Sequence, residues 1–144
     1  MKRTKTLLFA VTLALSALVT VPVITGTGCA SSQVDPGSEA FVVEAEKDIR
    51  TSFKIVDAFL QWEHLNRTTA GPDVTAAADK LRVDFPKWHA SAQTVLRAYK
   101  TARTPESRGD VTTWLNTLTT AMLEAVKYLP PAEASKAYAA ASSR

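Results

Sequence analysis

Between Gly71 and Thr104 the apolar residues Val74, Ala78, Leu81, Phe85, Trp88, Ala92, Val95 and Tyr99 recur at alternating steps of four and three. That is the period of one face of an α-helix. The phase is kept across Pro86, although a proline inside a helix breaks or kinks it at a cost of about 3 kcal/mol. Two helices joined by an arbitrary loop have no reason to stay in phase. The stretch from Asp73, which offers an N-cap, to about Arg103 therefore reads as one helix kinked near Pro86.

Similar seams flank it. From about Ser38 to Thr69, Val42, Ala45, Ile49, Phe53, Val56 and Leu60 lie at helical spacing, and Gly71-Pro72 ends the segment, with glycine free to form a left-handed cap. Ile55, Phe59 and Trp62 lie beside that seam and widen the apolar arc to about half the helix circumference, at roughly 100° per residue. A third segment opens with Thr104 as N-cap and Pro105 at the first helical position, and Gly109-Asp110 is expected to delay regular helix by a turn. Its seam is Val111, Leu115, Leu118, Met122, Ala125 and Leu129 with Trp114 alongside, and Pro130-Pro131 stops it. The Ala-rich tail over 130–144 reads either as a short frayed helix carrying Tyr138 or as nothing fixed. No strand alternation or hairpin signal competes. Three rods of about 40–45 Å joined by short turns must run antiparallel to their chain neighbours. The expected fold is all-α, an up-down-up three-helix bundle over residues 38–129.

The N-terminus speaks to location. Lys2, Arg3 and Lys5 precede Leu7–Ile24, an apolar run of 18 residues without a charge. Thr25-Gly26-Thr27-Gly28 leads to Cys29, the only cysteine. A cationic start, an apolar middle and small residues before a cut site form an export signal. With Gly28 before it, Cys29 resembles the lipid-bearing cysteine of a bacterial lipoprotein precursor. The resemblance covers residues 1–30 and departs from the family at Gly26, where an aliphatic residue is usual. It implies a signal peptide over 1–28, lipidation of Cys29 with fatty chains such as palmitate, and a membrane-anchored N-terminus. Ala30 after the cysteine, rather than Asp, implies the periplasmic face of the outer membrane over the inner membrane. Retention of the run as an anchor and ordinary secretion with cleavage after Ala30 are the alternatives.

Other arithmetic agrees with export. A single cysteine has no partner for an internal disulfide, and a thioether removes an exposed thiol from an oxidising compartment; an intermolecular disulfide is the alternative. The chain has 17 Lys/Arg against 14 Asp/Glu. Three of those cations belong to the signal, so the remaining 14 balance the acids and give no ground for nucleic-acid binding. Residues 29–37, small and polar with Pro36-Gly37, read as a flexible tether reaching up to about 25–30 Å from the membrane.

Motifs that carry chemistry are missing from the sequence. There is no His-Glu-x-x-His, Cys-x-x-Cys, Gly-x-Ser-x-Gly or phosphate-cradling Gly-Lys-Ser/Thr loop. His64 and His89 sit in similar contexts, yet antiparallel pairing separates them by about 16 Å along the axis, too far for one metal ion. Glu63 pairs naturally with Arg67 at i+4, and Asn66-Arg67-Thr68 is a chance glycosylation match. The chain is expected to be no enzyme and to need no cofactor or metal.

Two surfaces are candidates. Ile55, Phe59 and Trp62 form either a wide core face, covered by a neighbour or by the Ala-rich tail, or an exposed stripe that receives a partner helix. Arg97, Lys100, Arg103 and Arg108 crowd the second turn, at the same end as the tether. They either complement a helix C-terminus or face an anionic leaflet, offset by Glu39, Glu44, Glu46 and Asp48. The opposite tip is expected to hold Asn66–Asp73 and the tail. The sequence thus points to an envelope-anchored helical binding or scaffold module whose partner is another envelope protein, met through the Ile55/Phe59/Trp62 face or through that free tip. A lysis-associated or membrane-perturbing lipoprotein, phage-encoded among other origins, is the alternative, and an enzyme a distant third.

Overall fold

The computed structural model describes residues 37–143. The expected signal peptide, Cys29 and all of the expected tether but Gly37 lie outside the described residues. Four helices make up the rest: α1 (Ser38–Asn66), α2 (Pro72–Ala102), α3 (Pro105–Tyr128) and α4 (Pro131–Ser142). The described chain is all-α, a helical bundle in which α1, α2 and α3 pack on one another and α4 packs on α1.

Turn chemistry sets the boundaries, with several corrections to the sequence reading. α1 stops at Asn66, and Thr69 and Ala70 donate their N–H groups back to the Asn66 carbonyl. Gly71 is not left-handed; at φ −65° and ψ 161° it is the extended residue before α2, and Pro72 rather than Asp73 opens that helix. Proline fits there because the first-turn N–H it lacks has no intrahelical acceptor. Asp73 instead places its charge in the first turn, where the helix dipole favours it. α2 ends on Arg103 in the left-handed region (φ 49°), its N–H donating to the Tyr99 carbonyl at 2.8 Å. α3 begins at Pro105 with no delay at Gly109, because Thr104 and Ser107 cap each other reciprocally.

α2 is one continuous helix through Pro86, which is exposed. A carbonyl without its helical donor can turn to solvent on that side. Its buried stripe is Ala78, Leu81, Phe85, Ala92, Leu96 and Tyr99, with Val74, Trp88 and Val95 packed half-buried against it. α3 contributes Val111, Leu118, Ala121 and Ala125, and Leu129 closes its end.

α1 departs from its expected seam. The buried positions are Ser38, Val42, Ala45, Ile49, Ser52, Ile55, Val56, Phe59 and Glu63. Phe53, assigned to the seam by its apolarity, is 47% exposed, whereas Ser52 beside it is buried. Ser52 tolerates the core because its hydroxyl donates to the Ile49 carbonyl at 2.9 Å.

Contacts between helices give the directions. Near the start of α1, Glu46 pairs with Lys100 and Glu39 with Arg103 at the end of α2. Near the end of α1, Glu63 and Arg67 meet Arg82 and Asp79 from the first half of α2. α3 follows the direction of α1, since Arg108 stacks on Phe41 and Tyr128 on Phe59. The tail does not stay at the tip. α4 runs back along α1 until Lys54 donates to the Ala140 and Ser143 carbonyls at 2.7 and 3.3 Å.

Candidate functional site

The expected partner face is closed. Ile55 and Phe59 are fully buried and Trp62 is half-buried. The reason differs along the stripe. Phe59 belongs to the main core, stacked between Trp62 (ring centroids 6.4 Å apart) and Tyr128 (6.2 Å). Ile55 belongs to a separate small cluster with Ala137 and Ala141 of α4, flanked by Ala58, Met122 and Val126. Small alanines let the α4 backbone come close, so a 12-residue helix is enough to cover Ile55. The groove on this side of α1 accepts a helix, and the helix in it is the chain's own.

The cationic cluster is divided between two places. Arg103 pairs with Glu39 and reaches the Ser38 hydroxyl at 3.4 Å, and the Arg108 guanidinium lies 4.5 Å from the Phe41 ring centroid. Both therefore fasten α1 at its N-terminus. Arg97 and Lys100 point the other way, into a groove between α1 and α2. Lys100 is committed to Glu46 there. Lys100, Arg103 and Arg108 are thus engaged by α1, whereas the Arg97 side chain hydrogen-bonds only Thr94 of its own helix among the described residues.

One group of charges went unnoticed beyond its simplest pair. Glu63 is fully buried and holds Arg82 as well as Arg67, the latter at 3.3 Å. Arg67 grips both oxygens of Asp79, and Arg82 meets the same carboxylate at 2.9 Å. Two arginines thus bridge two carboxylates across the α1–α2 turn. The hydrogen bond from Arg67 holds exposed Asp79 below the usual carboxylate range, with desolvation opposing it more weakly. Such a group stabilises the fold above its unfolded pKa, and that contribution is lost as pH falls through the folded value. The sequence signal was present: Glu63 lies on the four-three register that runs through Val42, Ile49, Val56 and Phe59.

His64 is exposed, while His89 lies half-buried between Phe53 and Phe85, with ring centroids 5.2 and 6.0 Å away. Burial pushes the His89 imidazole below its ordinary pKa. Among the described residues no group of three His, Cys, Asp or Glu side chains is placed to hold a metal ion, and no helix is long and apolar enough to cross a membrane. The chain matches no family model, no curated protein sequence and no solved structure.

Proposed function

We propose that this protein is a small envelope lipoprotein, moored through Cys29 at the periplasmic face of the outer membrane, that binds another envelope protein by taking one of its helices into the α1 groove. Residues 1–28 serve as the signal and 29–37 as the tether. Its working body is an up-down-up three-helix bundle, with α2 kinked at Pro86, and α4 is the groove's resting occupant. The observation that carries this reading is the docking of α4. Its buried residues lie outside the main core, which it touches only at its start through half-buried Ala134, and it reaches Ile55 chiefly through Ala137 and Ala141, with Lys54 holding its last carbonyls. A partner helix of larger apolar residues covers Ile55, Ala58 and Met122 more fully than two alanines do, and displaces α4. No reaction is assigned to the protein, and no cofactor.

Ala137→Glu places a carboxylate against Ile55 and should release α4 while leaving α1–α3 folded. Affinity scales with the open fraction, so capture of the partner from cross-linked envelopes should rise about tenfold for each 1.4 kcal/mol of α4 docking removed. Adding Ala58→Glu in the groove should abolish the gain. Identical captured sets from all three proteins would remove the groove from consideration.

The mooring has its own test. Cys29→Ala should move the protein from the membrane to the soluble fraction and end palmitate labelling. Unchanged fractionation would return the N-terminal run to the role of an uncleaved anchor.

A further inference from the structure

We propose that the groove between α1 and α2 is a binding site for a small organic anion with a flat apolar body, such as an aromatic carboxylate. The groove encloses about 490 Å³, within the range of small-molecule sites. It is separate from the α4 groove, and the proposal stands independently of partner binding.

Two helix faces build it. Glu46, Ile49, Arg50 and Phe53 occupy one face of α1, at steps of three, one and three. His89, Gln93, Leu96, Arg97 and Lys100 occupy the facing side of α2. Ile49 and Leu96 are buried and form an apolar floor. Phe53 stands at one end against His89, leaving nearly half its surface open. An exposed phenylalanine held in place by a second ring offers a flat apolar wall at little further cost in side-chain entropy. With its depressed pKa, His89 is neutral near pH 7 and acts as part of that wall.

The rim carries the charge. Glu46 and Arg50 stand four residues apart, the spacing of a helical ion pair, yet Glu46 turns across to Lys100. Among the described residues Arg50 is left with no ion-pair partner, and the hydrogen bond made by Arg97 is to Thr94 of its own helix, at 3.2 Å. Two guanidiniums thus border an apolar floor without an ion-pair partner of their own, because Glu46, the acid that lines the groove, is held by Lys100. The chain beyond its signal has balanced charge, so this excess is local. Guanidinium pairs with planar oxyanions in a two-pronged geometry that an ammonium cannot reproduce. The complementary ligand carries its anionic group at Arg50 and Arg97 and its body against Phe53, over Ile49 and Leu96.

The probe is 2-naphthoate, titrated into the full chain lacking its signal, with Cys29→Ser to prevent disulfides. Amide NMR shifts report the position and calorimetry the affinity. The expected result is saturable 1:1 binding with Kd of about 100 µM, and shifts concentrated in 46–53 and 89–100. The double substitution Arg50→Gln/Arg97→Gln should weaken it at least tenfold and Phe53→Ser about fivefold, with circular dichroism unchanged because all three side chains are exposed. Neutral 2-naphthamide should bind at least tenfold more weakly, and inorganic phosphate should not compete at millimolar concentration. Equal affinity for the amide, or for the double variant, would overturn the proposal, as would shifts spread over the whole surface. Binding to phosphatidylglycerol vesicles without binding to naphthoate would overturn it in favour of a lipid surface.

Discussion

Arg82→Met should destabilise the bundle by about 3 kcal/mol, whereas Glu63→Met should cost less than about 1 kcal/mol. The difference comes from what each substitution leaves behind. Without Arg82, the fully buried Glu63 carboxylate keeps Arg67 alone, at 3.3 Å and without a hydrogen bond to Oε1. An uncompensated buried charge is among the costliest defects in a protein interior. Without Glu63, by contrast, the arginines retain both Asp79 and solvent, since their side chains are 31% and 44% exposed. Methionine then fills the vacated seam position with apolar volume. The partial exposure of Arg82 lets solvent relieve some of the penalty, which places the estimate at the low end of the range for broken buried pairs. For a domain of this size, 3 kcal/mol lowers the melting temperature by about 12 °C or more. Glu63→Met in the Arg82→Met background should restore most of the loss, giving a coupling energy of about 2 kcal/mol or more. Urea unfolding of the four proteins measures it. Equal losses in the two single variants would mean that the carboxylate is better solvated than its position implies.

That network also marks the limit of legibility in the sequence. Periodicity reports which face of a helix is buried only when the buried residues are apolar. On α2 they are, and Val74 through Tyr99 came out buried or half-buried as read. On α1 the true register passes through Ser52 and Glu63, two polar residues held inside the core, the first by a backbone carbonyl and the second by ion pairs to two arginines. The apolar Phe53 next to Ser52 drew the seam one residue aside. The pairing of Glu63 with Arg82 spans 19 residues and depends on how α1 and α2 are set against each other, which a single-helix pattern does not encode. The same holds for the cations of the second turn: Arg103 and Arg108 look alike in sequence to Arg97 and Lys100, and only the helix faces separate them. The placement of α4 was open for a different reason. Alanines carry almost no periodic signal, so nothing in the tail itself says that residues 137 and 141 are the buried ones.

Phe59→Ala should cost about 3–5 kcal/mol, the loss of a large buried ring together with the cavity it leaves. The ring bridges α1 and α3 by stacking on Tyr128, and braces Trp62 on its other side. Neither neighbour can collapse freely into the space, because Tyr128 is the last residue of α3 and Trp62 is held in its own helix. Native domains are stable by only about 5–15 kcal/mol, so this variant should be partly unfolded at 37 °C, whereas Phe59→Leu should lose only about 1 kcal/mol. The contrast decides how the stripe is to be used in binding experiments. If Phe59 served a partner from an open surface, its removal would leave the melting curve in place and abolish only the complex. Buried as it is, it should lower the melting temperature whether or not a partner is present, and any loss of binding would follow the loss of fold. Ala58 and Ala137, at the edge of the α4 groove, can be changed without opening the main core. They are therefore the positions at which docking and folding can be separated, and a Phe59→Ala protein within about 1 kcal/mol of the parent would reverse that assignment.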